Sequence, residues 1–265
     1  MEPSRYADDL RLAHVLADQV EPGTMGAFRS SDLVVESKPD LTPVTEADRA
    51  CESTIRAQLG RARSRDAVIG EEFEPTGHSQ RQWIVDPIDG TKNFVRGVPV
   101  WATLIGLVED GECVMGLVSA PALGRRWWAA KGGGAWTGRS LAKAEQIHVS
   151  AVGELTDSSF SYSSIDGWRE AGRGMSFLRL TSHVWRTRAY GDFWSYMLVA
   201  EGAVDAAAEP ELELYDMAAL VAIVTEAGGR FTSLDGEPGP WGGNALATNG
   251  LLHEGYLERL GPDGS

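Results

Sequence analysis

A chain of 265 residues, 43% of them hydrophobic, can bury a substantial core as one domain or as two halves. Its net charge of −14 argues against a nucleic-acid backbone or an anionic membrane surface as the main partner. Cys51 and Cys113 make no disulfide framework and suit a reducing cytoplasm, and no apolar run reaches membrane-spanning length or forms a signal-peptide core.

Leu10, Ala13, Ala17 and Val20 recur at helical spacing and predict a first helix over residues 4–28. His14 lies within it and reads as a surface or core histidine. Residues 38–43 read as an extended loop or short hairpin segment. Thr45-Glu46-Ala47-Asp48 then opens a second helix whose apolar face is Ala47, Cys51, Ile55 and Leu59. The Thr-x-x-Asp spacing is that of a capping box, which by itself gives Asp48 a structural role. Residues 60–65 and 74–81 read as loops.

Two short apolar strands end in acids. Residues 67–70 lead into Glu71-Glu72, and Trp83-Ile84-Val85 delivers Asp86. Pro87 has no N–H for a ladder and is expected to turn the chain out of the sheet. Asp89 follows, then Gly90, which lets backbone approach a ligand closely, and Thr91, which opens a short helix with an anion-ready N-terminus. Two carboxylates beside a phosphate-sized cradle point to Mg2+ held between protein and a substrate phosphate. The competing reading is a solvated turn, because Asp, Pro and Gly are ordinary turn residues. The acids after the first strand shift the balance: carboxylates gathered at one sheet edge repel one another, and a cation compensates them.

Further strands are expected over residues 98–108, 113–119 and 126–130, with a hairpin turn at Glu109-Asp110-Gly111. Cys113 should sit beside a strand. Lys131-Gly132-Gly133-Gly134 lacks the Gly-Lys-Ser/Thr ending of a phosphate loop and reads as a strand connection. Past residue 147, strands at 158–162, 184–187, 204–208, 230–232 and 245–247 alternate with helices at 167–178, 192–201 and 215–227, the last stopped by Gly228-Gly229. The fold class is therefore α/β, with an α+β half over residues 1–145 and an α/β half over 146–265. Five scattered histidines with no His-Glu-x-x-His disfavour a zinc hydrolase, and the absence of Gly-x-Ser-x-Gly disfavours a serine hydrolase.

Gly70-Glu71-Glu72, the run Trp83-Ile84-Val85-Asp86-Pro87-Ile88-Asp89-Gly90-Thr91-Lys92-Asn93-Phe94, and Tyr215-Asp216-Met217-Ala218-Ala219 resemble, in that order, the motifs of the inositol monophosphatase family of Mg2+-dependent phosphatases. The resemblance covers nearly the whole chain. It implies a layered αβαβα sandwich, a homodimer, and about two or three Mg2+ ions, with Mn2+ as a substitute and Li+ as an inhibitor. It makes Glu71, Asp86, Asp89, Asp216 and the carbonyl of Ile88 metal ligands. Asp216, where the alternative is a charge favoured at a helix N-terminus, comes from the other half of the chain, so the site should lie between the halves. The family pattern has Glu71, Thr91 and Asp48 orient a water that attacks phosphorus in line, without a covalent phosphoenzyme. Gly90 and Thr91 donate N–H groups to the phosphate. Tyr215 stands where the family usually has Trp.

Within the family the resemblance is closest to actinobacterial histidinol-phosphate phosphatases. It rests on residues 83–101, on Arg188-Ala189-Tyr190-Gly191-Asp192-Phe193 and on Ala200-Glu201-Gly202-Ala203-Val204-Asp205. An ammonium and an imidazole on such a substrate favour carboxylate partners, which makes Asp192 and Glu209 substrate-binding candidates; the resemblance itself adds Arg188 and Asp216. Asp192 also reads as a helix N-cap and Glu209 as a strand-end surface acid. The alternatives are an inositol phosphate, a 3′-phosphorylated nucleotide, or a non-catalytic metal- and phosphate-binding regulator. The presence of Glu71, Thr91 and Asp48 speaks against the last.

Overall fold

The computed structural model describes residues 4–30, 35–37 and 43–264. Residues 38–42 of the expected extended segment lie outside them. Ala13, Leu16, Ala17 and Val20 form one buried stripe of α1 (Ala7–Ala27), as their spacing predicts. A short antiparallel pair, β1 (Val35–Ser37) and β2 (Pro43–Thr45), leads into α2 (Glu46–Ala62), which buries Cys51, Ile55 and Leu59.

Next come β3 (Ala67–Gly70), β4 (Arg81–Asp89), the short helix α3 (Thr91–Arg96), β5 (Ala102–Glu109), β6 (Glu112–Ala120), β7 (Arg125–Ala130), β8 (Ala135–Gly138) and β9 (Ala144–Ile147). These strands form a seven-stranded sheet in chain order, parallel between β3 and β4 and antiparallel elsewhere. Asp110 (φ 53°) and Gly111 (φ 80°) make the expected tight turn between β5 and β6. Cys113 lies within β6 rather than beside a strand. The Lys131–Gly134 run joins β7 to β8, and the Glu226 carboxylate accepts the N–H groups of Gly132 (2.9 Å) and Gly134 (2.8 Å).

The rest of the chain supplies β10 (Ser159–Ser161), α4 (Gly174–Thr181), β11 (Arg186–Arg188), α5 (Asp192–Ala200), β12 (Ala206–Glu209), α6 (Leu214–Glu226), β13 (Arg230–Thr232), β14 (Ala245–Thr248) and α7 (His253–Arg259). Its five strands run β11-β10-β12-β14-β13. The helix expected from residue 167 starts only at Gly174. A single 3-10 turn at Asp166–Trp168 and a left-handed Gly172 (φ 66°) come first.

Trp83, Val85, Leu107, Met115 and Trp128 face α1 and α2 on one side of the larger sheet. Its other face packs through Leu104, Val118 and Trp127 on Tyr196 of α5 and Met217 and Leu220 of α6, and these helices in turn cover Ala207 and Ala247 of the second sheet. Phe160 and Leu246 on the far face meet Phe177 of α4 and Tyr256 of α7. The result is the layered αβαβα sandwich. No helix among the described residues is long and apolar enough to cross a membrane.

α6 lies unusually close to the larger sheet because Gly106 and Gly116, cross-strand partners, have no side chains beneath it. A Cβ on Gly116 would fall 2.1 Å from the Ala219 carbonyl oxygen, and one on Gly106 would fall 3.0 Å from the Ala218 Cβ. Small residues on both surfaces thus seat the helix flush and carry Asp216, near its first turn, toward the end of β4.

His253 is buried, with both ring nitrogens 2.9 Å from a threonine hydroxyl. Thr232 Oγ1 donates to the Ser233 carbonyl, so it accepts from Nε2–H. Thr248 Oγ1 accepts from the Gly250 N–H and donates to Nδ1. A second ring proton would set two donors against each other. Burial, then the nearby Arg230 charge, lowers the imidazole from 6.5 to about 4. The stability it contributes is complete above the unfolded value and is lost as pH falls through that window. Urea midpoints should therefore fall more steeply from about pH 7 to pH 5 in the wild type than in His253→Gln. Equal slopes would show that His253 carries none of the acid sensitivity.

Candidate active site

Because β3 and β4 run parallel, with Gly70 opposite Val85, Glu71 and Asp86 emerge at the same sheet edge. Pro87 does not take the chain out of the sheet there. β4 continues to Asp89, which pairs with Ala102 across a register shift that begins at Asp86. The Pro87 carbonyl accepts the Thr103 hydroxyl at 2.8 Å, which ties the irregular segment to β5. In a regular strand, residues 86 and 89 would point to opposite faces; the bulge turns both carboxylates to one side.

The carboxylates of Asp86, Asp89 and Asp216 offer oxygens all within 4.8 Å of one another. Glu71 stands outside this trio and borders the same cavity. Asp86 is buried, and its Oδ1 has no hydrogen-bond partner among the described residues. Burial, then the charges of Glu71, Asp89 and Asp216, holds Asp86 well above the ordinary carboxylate range. Asp89 is raised likewise, by burial and then by Asp192 and Asp216, although one oxygen accepts the Phe193 N–H at 2.8 Å. Asp216 is pushed up to about 7, chiefly by burial, while its Oδ2 accepts the Glu213 N–H at 2.8 Å. Mutually repelling carboxylates, one of them buried and two half-buried, are a hard-oxygen donor set that fits a divalent cation.

Asp48 is held from the opposite side. Its Oδ2 accepts the N–H (2.8 Å) and the hydroxyl (2.5 Å) of Thr45, completing the capping box at the head of α2. Its Oδ1 lies 3.5 Å from the Thr91 hydroxyl, which is also 3.0 Å from the Ile88 carbonyl. Burial raises the Asp48 carboxyl above its usual range, against the lowering effect of the Thr45 bonds. Asp48, Thr91 and Ile88 therefore form one connected group.

A cavity of about 610 Å3 opens beside these groups, lined by Glu71, Asp89, Asp192, Glu209, Glu211, Glu213 and Asp216, with Lys92 as the basic side chain of its wall. Gly90, the N-cap of α3, is in the left-handed region (φ 82°). Asp192 starts α5 at φ 48°, a conformation rare outside glycine. Its carboxylate accepts from Asn93 Nδ2 at 2.7 Å and its N–H donates to the Ser163 hydroxyl at 2.8 Å. Burial raises Asp192 to about 6, offset by the Lys92 charge and the Asn93 bond. Glu209 lies at the end of β12 beside Tyr196 and Ser163, and burial followed by the Asp192 charge pushes it to about 8. Arg188 stands apart, exposed on edge strand β11 with its guanidinium on the Thr187 carbonyl, and does not line this cavity.

In the sequence Lys92 and Asn93 stand only as members of the motif run, and nothing marks Ser163 or Tyr196 as site residues. Asn93 meets Asp192 across 99 residues, a pairing no local spacing announces.

The inositol monophosphatase family profile matches residues 10–261. A histidinol-phosphatase of Streptomyces coelicolor is 64% identical over 96% of this chain and 98% of its own length. One of Mycobacterium tuberculosis is 59% identical over 96% of this chain and 98% of its own. The solved structure of an inositol monophosphatase from Zymomonas mobilis superposes with a TM-score of 0.86 at 33% identity, covering 97% of this chain and 99% of that one.

Proposed function

We propose histidinol phosphate as the substrate, on the premise that this chain belongs to the inositol monophosphatase family and is a phosphoric monoester hydrolase. The family is metal-dependent, and the acidic cluster suits that dependence. The observation that carries the substrate reading is the cavity wall beside the trio, where Asp192 and Glu209 are acids and Lys92 is the one basic lining residue. An ammonium or imidazolium suits that wall, whereas an inositol ring presents hydroxyls alone. The names of the Streptomyces and Mycobacterium relatives point the same way.

Glu71, Asp86, Asp89, Asp216 and the Ile88 carbonyl would hold Mg2+. Once bound, the metal supplies positive charge to the phosphoryl oxygens and acidifies water. The chain's own groups do the rest. With the Thr91 hydroxyl proton shared between the Ile88 carbonyl at 3.0 Å and Asp48 Oδ1 at 3.5 Å, the Thr91 oxygen keeps lone pairs for a water proton. Glu71, bordering the same space, is the base that takes the other. The N–H groups of Gly90 and Thr91 at the start of α3 would receive phosphate oxygens. The attack is in line and leaves no covalent intermediate.

A side-by-side comparison of kcat/KM on histidinol phosphate, inositol 1-phosphate and 3′-phosphoadenosine 5′-phosphate tests the substrate. Histidinol phosphate should lead, and a lead for either of the others overturns the reading while leaving the metal chemistry. Asp192→Asn removes charge with little change in shape, and a charged hydrogen bond is worth roughly 1.5–3 kcal/mol. Efficiency on histidinol phosphate should fall about ten- to a hundred-fold, with a neutral aryl phosphate little affected. An equal loss on both esters would show that Asp192 does not read the cation. A homodimer belongs to the same proposal, and light scattering that returns the mass of a single chain at micromolar concentration would remove it.

A further inference from the structure

We propose that Glu52 and Arg56 act as a positioning clamp that sets where Glu71 stands, an inference that rests on the reading of Glu71 as a metal ligand. Asp48, Glu52 and Arg56 recur every four residues along α2, so they share one stripe of the helix. Asp48 reaches Thr91; the two residues behind it grip the turn that carries Glu71.

The Glu52 side chain is fully buried (0% exposed). Its Oε2 accepts the Glu72 N–H at 2.7 Å and its Oε1 accepts Arg56 Nε at 2.6 Å. Arg56 continues over the turn, donating from Nη2 to the Phe73 carbonyl at 2.9 Å and from Nη1 to the Thr76 hydroxyl at 3.2 Å. A Cβ on Gly70 would fall 2.1 Å from Glu52 Oε1, so the carboxylate occupies the space that any other residue there would need. Glu71 is therefore fastened on both sides, by Gly70 in register with Val85 and by the Glu72 N–H on Glu52.

A buried ion pair is rarely retained for stability alone, since desolvation offsets its attraction. This one holds the backbone that follows Glu71, a carboxylate on the same cavity as Asp89 and Asp216. Outer partners of that kind fix a ligand's direction, and their loss weakens metal binding about 10- to 100-fold.

Mn2+ titrated into the full-length protein and followed by electron paramagnetic resonance gives a readout independent of turnover. Glu52→Gln, with a wild-type circular dichroism spectrum, should weaken Mn2+ binding about ten-fold. On a Glu71→Gln background the same change should add less than about two-fold, because it acts through Glu71. Arg56→Lys keeps the charge, loses the planar fork and should shift Mn2+ affinity in the same direction; it carries the test if Glu52→Gln does not fold. Mn2+ affinity within about two-fold of wild type in the folded variants overturns the clamp, as does a loss repeated in full on the Glu71→Gln background. Wild-type Mn2+ binding by Glu71→Gln itself overturns the metal-ligand reading, and the clamp with it.

Discussion

Asp89→Asn should lower turnover about a thousand-fold or more at saturating Mg2+, because it withdraws one charged oxygen donor from a trio packed within 4.8 Å. The fold should survive, since an asparagine oxygen can still accept the Phe193 N–H. The metal-free protein gives a second, opposite sign. Burial, with Asp192 and Asp216 next, raises Asp89 well above its ordinary range. An acid raised by folding opposes the native state at every pH above its unfolded value, so the metal-free protein loses stability as pH climbs from about 4 toward 7. Asparagine carries no such penalty. In EDTA at neutral pH the variant should melt at or above the wild type, and Mg2+ should raise the wild-type Tm by more. Turnover within a few-fold of wild type, or equal Mg2+ shifts in the two proteins, would show that Asp89 is not a ligand.

Asp86, Asp89 and Glu71 were legible because short apolar strands have few ways to end, and acids placed there collect at one sheet edge. Their geometry was less legible. The three-residue spacing of Asp86 and Asp89 converges only through a bulge, and Pro87 was expected to leave the sheet rather than stay in it. β8 and β9 leave little trace in the sequence, because each is four residues long and neither Ala-Trp-Thr-Gly nor Ala-Glu-Gln-Ile alternates polar with apolar residues. The 167–178 helix began late because Gly172 takes the left-handed region and stops the chain from running straight on. Glu52 was invisible as a buried residue: a glutamate between Cys51 and Ile55 reads as a solvated flank until Gly70 and Glu72 are seen against it.

Asp48 and Asp216 explain why sequence left a choice open at both. Each is the third residue of a helix and each closes a capping box, Asp48 on the Thr45 N–H and Asp216 on the Glu213 N–H. A carboxylate has two oxygens, so one can anchor the helix end while the other faces the site. Capping does not compete with the role proposed for each; it fixes the direction in which the second oxygen points.

Gly90→Ala should cost about a hundred-fold in kcat/KM, and on every ester alike. Residue 90 sits at φ 82°, where a side chain costs about 1–2 kcal/mol. The added methyl would fall 2.8 Å from the Val100 carbonyl oxygen and 3.3 Å from Asp192 Oδ2. Asn93 Nδ2 donates to those same two oxygens, at 3.0 and 2.7 Å, and so holds them in place, which leaves the strain on Gly90 and on the N–H groups proposed to hold phosphate. Displacement of reacting groups by about 1 Å is enough for a loss of roughly a hundred-fold. Because the damage reaches the phosphate end of the cavity, a neutral aryl phosphate should suffer as much as histidinol phosphate, and the inhibition constant of inorganic phosphate should rise in parallel. That pattern separates the variant from Asp192→Asn, which should spare the neutral ester. A loss confined to histidinol phosphate would place Gly90 in the selectivity wall, and efficiency within about three-fold of wild type on both esters would mean that α3 does not cradle phosphate at all.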